Sequence, residues 1–223
     1  MYVRPFLFFS SLFLLGAFAA GPVAAKDRPP EPSPAELHAR LARTGQDTTS
    51  LDEAIRRGER SAGVCCHCHG ASGNSVRPEV PNLAGQNAVY LLEQMNKFVH
   101  GTRKSSEFMS GLIQALSPQE RIDIALFLSR QAVAVKASDT GAHAVAGKAL
   151  YGKLCVSCHG PAALGTEKIP RLAGQQPGYL EDSLKRYRAG TGERIDPMMA
   201  AYTRNLKDAD IRSLAAYLTT LAP

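Results

Sequence analysis

The clearest pattern along the chain is a helical one. Ala88, Leu91, Leu92, Met95 and Val99 fall on one stripe at the spacing of successive helical turns, and so do Ile211, Leu214, Ala215 and Leu218. Ser117-Pro118 followed by Glu120 has the form of an N-cap, a first-turn proline and a capping-box acid, so a helix should start there. Further helices are expected ahead of two cysteine clusters, from about Leu51 and about Val145. Sustained alternation of apolar and polar positions is missing after the first 25 residues, so strands are not expected. Residues 27–35, rich in proline, should be irregular, and residues 36–48 should form a loose helix.

The chain also repeats itself. Cys65-Cys66-His67-Cys68-His69-Gly70 aligns with Cys155-Val156-Ser157-Cys158-His159-Gly160. Pro81-Asn82-Leu83-Ala84-Gly85-Gln86 aligns with Pro170-Arg171-Leu172-Ala173-Gly174-Gln175, then Tyr90-Leu91 with Tyr179-Leu180. Leu116, Glu120 and Phe127-Leu128 match Leu206, Asp210 and Tyr217-Leu218, with one single-residue slip between Thr191 and Leu206. Two copies make a tandem domain, not a solenoid. The division read from this is a leader over 1–25, an N-terminal extension over 26–49, a first domain over 50–131, a linker over 132–143 and a second domain over 144–223.

The N-terminus stands apart. Arg4, the apolar run from Phe6 to Ala20 and the small residues Val23-Ala24-Ala25 describe a secretory signal peptide cleaved after about Ala25. The run is short for a membrane span and Gly21-Pro22 interrupts it. Export to the periplasm is therefore expected. The rest is ordinary globular composition, 44% hydrophobic and 21% charged, which argues against wholesale disorder. A net charge of +6 comes without a polybasic tail or aromatic-basic alternation, so nucleic acid is not an expected partner. The basic excess lies in the C-terminal half. Lys185, Arg186 and Arg188 form either a docking rim for an acidic partner or a plain solvated helix face.

Five cysteines are too few for a disulfide scaffold, and their grouping is chemical. Cys-x-x-Cys-His is the attachment signature of c-type haem. Cys65 and Cys68, and likewise Cys155 and Cys158, lie one helical turn apart and can each form a thioether to one porphyrin. His69 and His159 then present an imidazole to the iron. A thioredoxin-like dithiol would need a βαβ setting, and a zinc site would need two ligand doublets per domain. Neither is present. Two covalently bound haem c groups are the expected cofactors. Cys66 has no counterpart in the second motif and reads as a bystander.

Each haem iron has a second axial position. Met109 follows His69 at the same separation as Met199 follows His159, so these two methionines are the candidate sixth ligands. Met198, beside Met199, is the second candidate because the slip in the repeat falls just before it. Met95, on the apolar stripe, reads as core. His38, His67, His100 and His143 have no repeat partner and read as surface residues.

Together these motifs resemble the dihaem cytochrome c4 family over about residues 50–223. The resemblance implies an all-α fold of two tandem class I cytochrome c-like domains, each wrapped around one haem c, with the haems meeting near the interface and their propionates facing. It implies that the carbonyls of Pro81 and Pro170 hold the other nitrogen of His69 and His159. It also implies that Phe127 and Tyr217 pack on Gly58 and Gly147. With His and Met both bound, the iron has no open position and the soft thioether favours Fe(II), so one-electron exchange is expected and not catalysis. The expected function is that of a periplasmic carrier of single electrons between a respiratory or dehydrogenase donor and a terminal acceptor. Its docking to redox partners would be transient and would extend to a membrane-bound oxidase or reductase. The alternative is a cytochrome subunit of a sulfur-compound or alcohol dehydrogenase. A dihaem peroxidase fits less well, since it needs an iron that is five-coordinate or held by two histidines.

Overall fold

The computed structural model describes residues 30–103, 107–135, 141–190 and 195–223. The leader, part of the expected linker and the start of the slip in the repeat lie outside these. Among the described residues the chain is helical, with no strand and no helix long and apolar enough to cross a membrane.

The first half holds α1 (Pro34–Gln46), α2 (Thr48–Ser61), α3 (Gly63–His69), α4 (Ala88–Val99), α5 (Glu107–Ala115) and α6 (Pro118–Ser129). The second holds α7 (Ala142–Leu154), α8 (Val156–His159), α9 (Pro177–Ala189), α10 (Pro197–Thr203) and α11 (Asp208–Thr220). The expected capping box starts α6: Glu120 N donates to Ser117 Oγ at 3.2 Å, and Ser117 N donates to the Glu120 carboxylate at 2.8 Å. In α11 Asp210 takes the place of Glu120, accepting from Lys207 N at 2.8 Å.

One helix pair carries each half. α2 crosses α6 at Gly58, and α7 crosses α11 at Gly147. A β-carbon on Gly58 would lie 2.8 Å from Phe127 Cβ and closer still to the Asp123 carbonyl. One on Gly147 would lie 2.8 Å from Tyr217 Cβ and closer still to the Ser213 carbonyl. Both aromatic residues therefore pack where the resemblance implied. The crossings need glycine for space, since the two backbones meet where a side chain would stand.

Three expectations are corrected. Residues 36–48 were expected to form a loose helix. Instead α1 is a capped helix: Ser33 Oγ accepts from Glu36 N at 3.2 Å, and Asp47 then caps α2 through Ser50 N at 2.7 Å. α1 places Leu37 (0% exposed) and Leu41 in the core of the first half, with Leu92 and Ile122. His38 follows it inward. Expected at the surface, it is half-buried with Nε2 3.6 Å from a Glu93 carboxylate oxygen. His67, His100 and His143 are exposed as expected. α7 starts at Ala142, inside the stretch expected to be linker.

Candidate haem sites

The cysteine-bearing helices end abruptly and in the same way. Gly70 (φ +81°) and Gly160 (φ +76°) follow the two histidines in backbone conformations that favour glycine. The chain turns away and returns as the loop that begins at Pro81 or Pro170. That loop is pinned to its own half: Gly85 N donates to Leu128 O and Gly174 N to Leu218 O, each at 2.9 Å.

The return of the loop fixes each histidine. His69 Nδ1 donates to Pro81 O at 2.9 Å, and His159 Nδ1 donates to Pro170 O at 3.1 Å. A carbonyl can only accept, so the tautomer is set and Nε2 is the nitrogen available to a metal. Burial lowers the pKa of both rings and keeps them neutral, the form that ligates. Burial pushes the Cys65 and Cys155 thiols up to about 11. A reactive dithiol would show the opposite shift.

A continuous cavity of about 530 Å³ is lined from both halves. Cys65, Cys68, His69 and Met109 contribute from the first, and Cys155, Cys158, His159 and Met199 from the second. The structure thus brings all eight candidate haem-binding residues to one cavity. Met198 lines it too, but is 62% exposed, whereas Met199 is partly buried. α10 is capped by Asp196, which accepts from Met199 N at 3.0 Å. Cys66 does not line the cavity and packs against the first core instead.

Several lining residues gave no sequence signal as site residues. Gln86, Gln175, Asn82 and Arg171 lie buried where the two halves meet, and all line the cavity. The Arg171 guanidinium donates to the carbonyls of Ala84 (2.7 Å), Gly85 (3.0 Å) and Ala173, and burial pulls its pKa down to about 10. Arg103 also lines the cavity, and its buried Nε has no hydrogen-bond partner among the described residues. A haem carries carboxylate propionates. An orphaned guanidinium N–H, two tautomer-locked histidines and paired cysteines in an apolar cavity fit that group.

The Cytochrome c family model matches residues 55–132 and again residues 144–222. The chain is 36% identical over 193 residues to cytochrome c4 of Pseudomonas aeruginosa, covering 81% of this chain and 94% of that one. The chain belongs to the cytochrome c4 family. The crystal structure of reduced recombinant cytochrome c4 from Pseudomonas stutzeri superposes with a TM-score of 0.69 at 33% identity, over 75% of this chain and 98% of that one. A thiosulfate dehydrogenase electron acceptor from Thiomonas intermedia is 33% identical over 171 residues, 70% of this chain and 78% of its own. As a cytochrome c4-family member the chain is a dihaem electron-transfer protein and not an enzyme. It binds two covalent haem c groups, one per repeat, and exchanges electrons with redox partners.

Arg188 turns toward α11, donating to Leu206 O at 2.8 Å and to Asp208 at 2.7 Å. Lys185 lies 3.5 Å from Glu181 on its own helix.

Proposed function

We propose that the chain is an exported carrier in which both irons are held by His and Met. Cys65 and Cys68 anchor the first haem and Cys155 and Cys158 the second. His69 with Met109, and His159 with Met199, would hold the two irons. Each haem belongs to one repeat, over about residues 50–131 and 144–223, with the first domain extended by α1. When bound, haem supplies the Fe(III)/Fe(II) couple. The protein's part is to hold two ligands on each iron, so that a change of charge needs little rearrangement and substrates find no open position.

The observation that carries this reading is the duplication of the site. In both halves the histidine is locked by a proline carbonyl, and a methionine lines the one cavity that runs through both. Two such centres in one chain give a two-electron store or a short wire. The signal peptide read over residues 1–25 supports a periplasmic carrier, working between a respiratory or dehydrogenase donor and a terminal acceptor. Anaerobic titration of the reduced holoprotein with a one-electron oxidant tests this. Release of two electrons per chain without catalytic peroxide consumption is expected, and peroxide turnover would overturn it.

A second reading is a dedicated acceptor for one oxidoreductase. The relationship to a thiosulfate dehydrogenase electron acceptor favours it. Size-exclusion chromatography of native periplasm separates the two, because a permanent subunit co-elutes with its partner.

A further inference from the structure

The peptide group between Pro81 and Asn82 is hydrogen-bonded at both ends. Its carbonyl accepts from His69 Nδ1 at 2.9 Å, and its N–H donates to Gln175 Oε1 at 2.7 Å. The group between Pro170 and Arg171 is engaged in the same way. Its carbonyl accepts from His159 Nδ1 at 3.1 Å, and its N–H donates to Gln86 Oε1 at 2.8 Å. Each chain of bonds starts on the histidine of one repeat and ends on a glutamine of the other.

The glutamines are held firmly. Gln175 Nε2 donates to Asn82 O and Gln86 Nε2 to Arg171 O, both at 3.0 Å. Their Oε1 atoms also accept from the next backbone N–H, of Gln176 at 2.9 Å and of Asn87 at 3.0 Å. Gln86 and Gln175 are buried, so water does not compete for these bonds.

A bond accepted from a peptide N–H polarises the amide and makes its carbonyl a better acceptor. A better acceptor on Nδ1–H makes the imidazole a stronger donor through Nε2. A more electron-rich imidazole favours ferric iron. We propose that Gln86 and Gln175 are positioning residues that set the basicity of the opposite repeat's histidine: Gln175 acts on His69 and Gln86 on His159. The proposal rests on the ligation by His69 and His159 stated above. It makes the domain interface part of the tuning of each centre, in addition to holding the halves together.

Gln175→Met and Gln86→Met remove the acceptor and keep the side-chain length. In the holoprotein, a redox titration followed at the haem methyl NMR resonances reads the two haems separately. Q175M should raise the potential of the first-repeat haem, seen as a several-fold higher ferrous-to-ferric ratio at fixed ambient potential, and leave the second unchanged. Q86M should do the reverse. The milder Gln175→Asn draws the acceptor back and should shift the same haem as Q175M, by less. A residue that only holds the interface would move both haems alike or neither. That result, or a shift confined to the glutamine's own repeat, overturns the proposal. Absence of a thioether–iron band in the wild type would instead undo the ligation reading itself.

Discussion

Gly147 lies so close to Tyr217 that a β-carbon on the glycine would stand 2.8 Å from the tyrosine Cβ. Gly58 bears the same relation to Phe127. Each contact sets the crossing that holds the cysteine-bearing helix over the cavity. Gly58→Ala or Gly147→Ala must push two backbones apart. Overpacking of this kind costs about 1–3 kcal/mol, and here the obstruction is backbone, so the upper end applies. Thermal unfolding should show a lowered transition for the repeat that carries the change.

Leu37 is wholly buried from a helix outside the repeat. Leu37→Ala should cost about 2–5 kcal/mol, the range for deleting a buried leucine. Chemical denaturation followed separately at each haem should show the loss in the first domain. An unchanged midpoint there would mean that α1 is dispensable.

Met199→Ala should abolish the thioether–iron band of one haem and lower its potential, because a soft ligand that favours Fe(II) is lost. Met198→Ala should leave both nearly unchanged, as expected for a mostly exposed side chain. Optical spectra and redox titration of the two variants check the choice, and a reversed pattern would move the ligand to Met198.

Lys185→Glu with Arg186→Glu should slow electron transfer to an acidic partner only modestly at low salt, with the difference shrinking as salt rises. Arg188→Glu should act chiefly on stability, since its guanidinium bonds Leu206 O and Asp208. Stopped-flow rates across ionic strength, paired with melting curves, separate the two effects.

What the sequence made legible were features that depend on spacing. The Cys-x-x-Cys-His motifs, the stripe on α11 and the capping box at Ser117 each lie within a few turns of one helix. The repeat extended that reach, aligning the two proline loops, while the glycine–aromatic pairs followed from the family resemblance. α1 was underestimated because Leu37 and Leu41 give only a short stripe beside a proline-rich stretch, and their burial depends on α4 and α6 being in place. The bonds of Gln86 and Gln175 were illegible for a related reason. Each acts on the other repeat, so its partner appears only when the halves meet. The burial of Arg171 also depends on both halves, since the three backbone carbonyls that hold it inside are those of Ala84, Gly85 and Ala173.

The central claim is that both irons are closed by histidine and methionine. It is tested most directly by the visible spectrum of the oxidised protein, followed by carbon monoxide addition to the reduced form. The account predicts a red-edge thioether–iron band of an intensity for two centres per chain, and no spectral change with carbon monoxide. Carbon monoxide binding at either haem, or a band for one centre only, would contradict it.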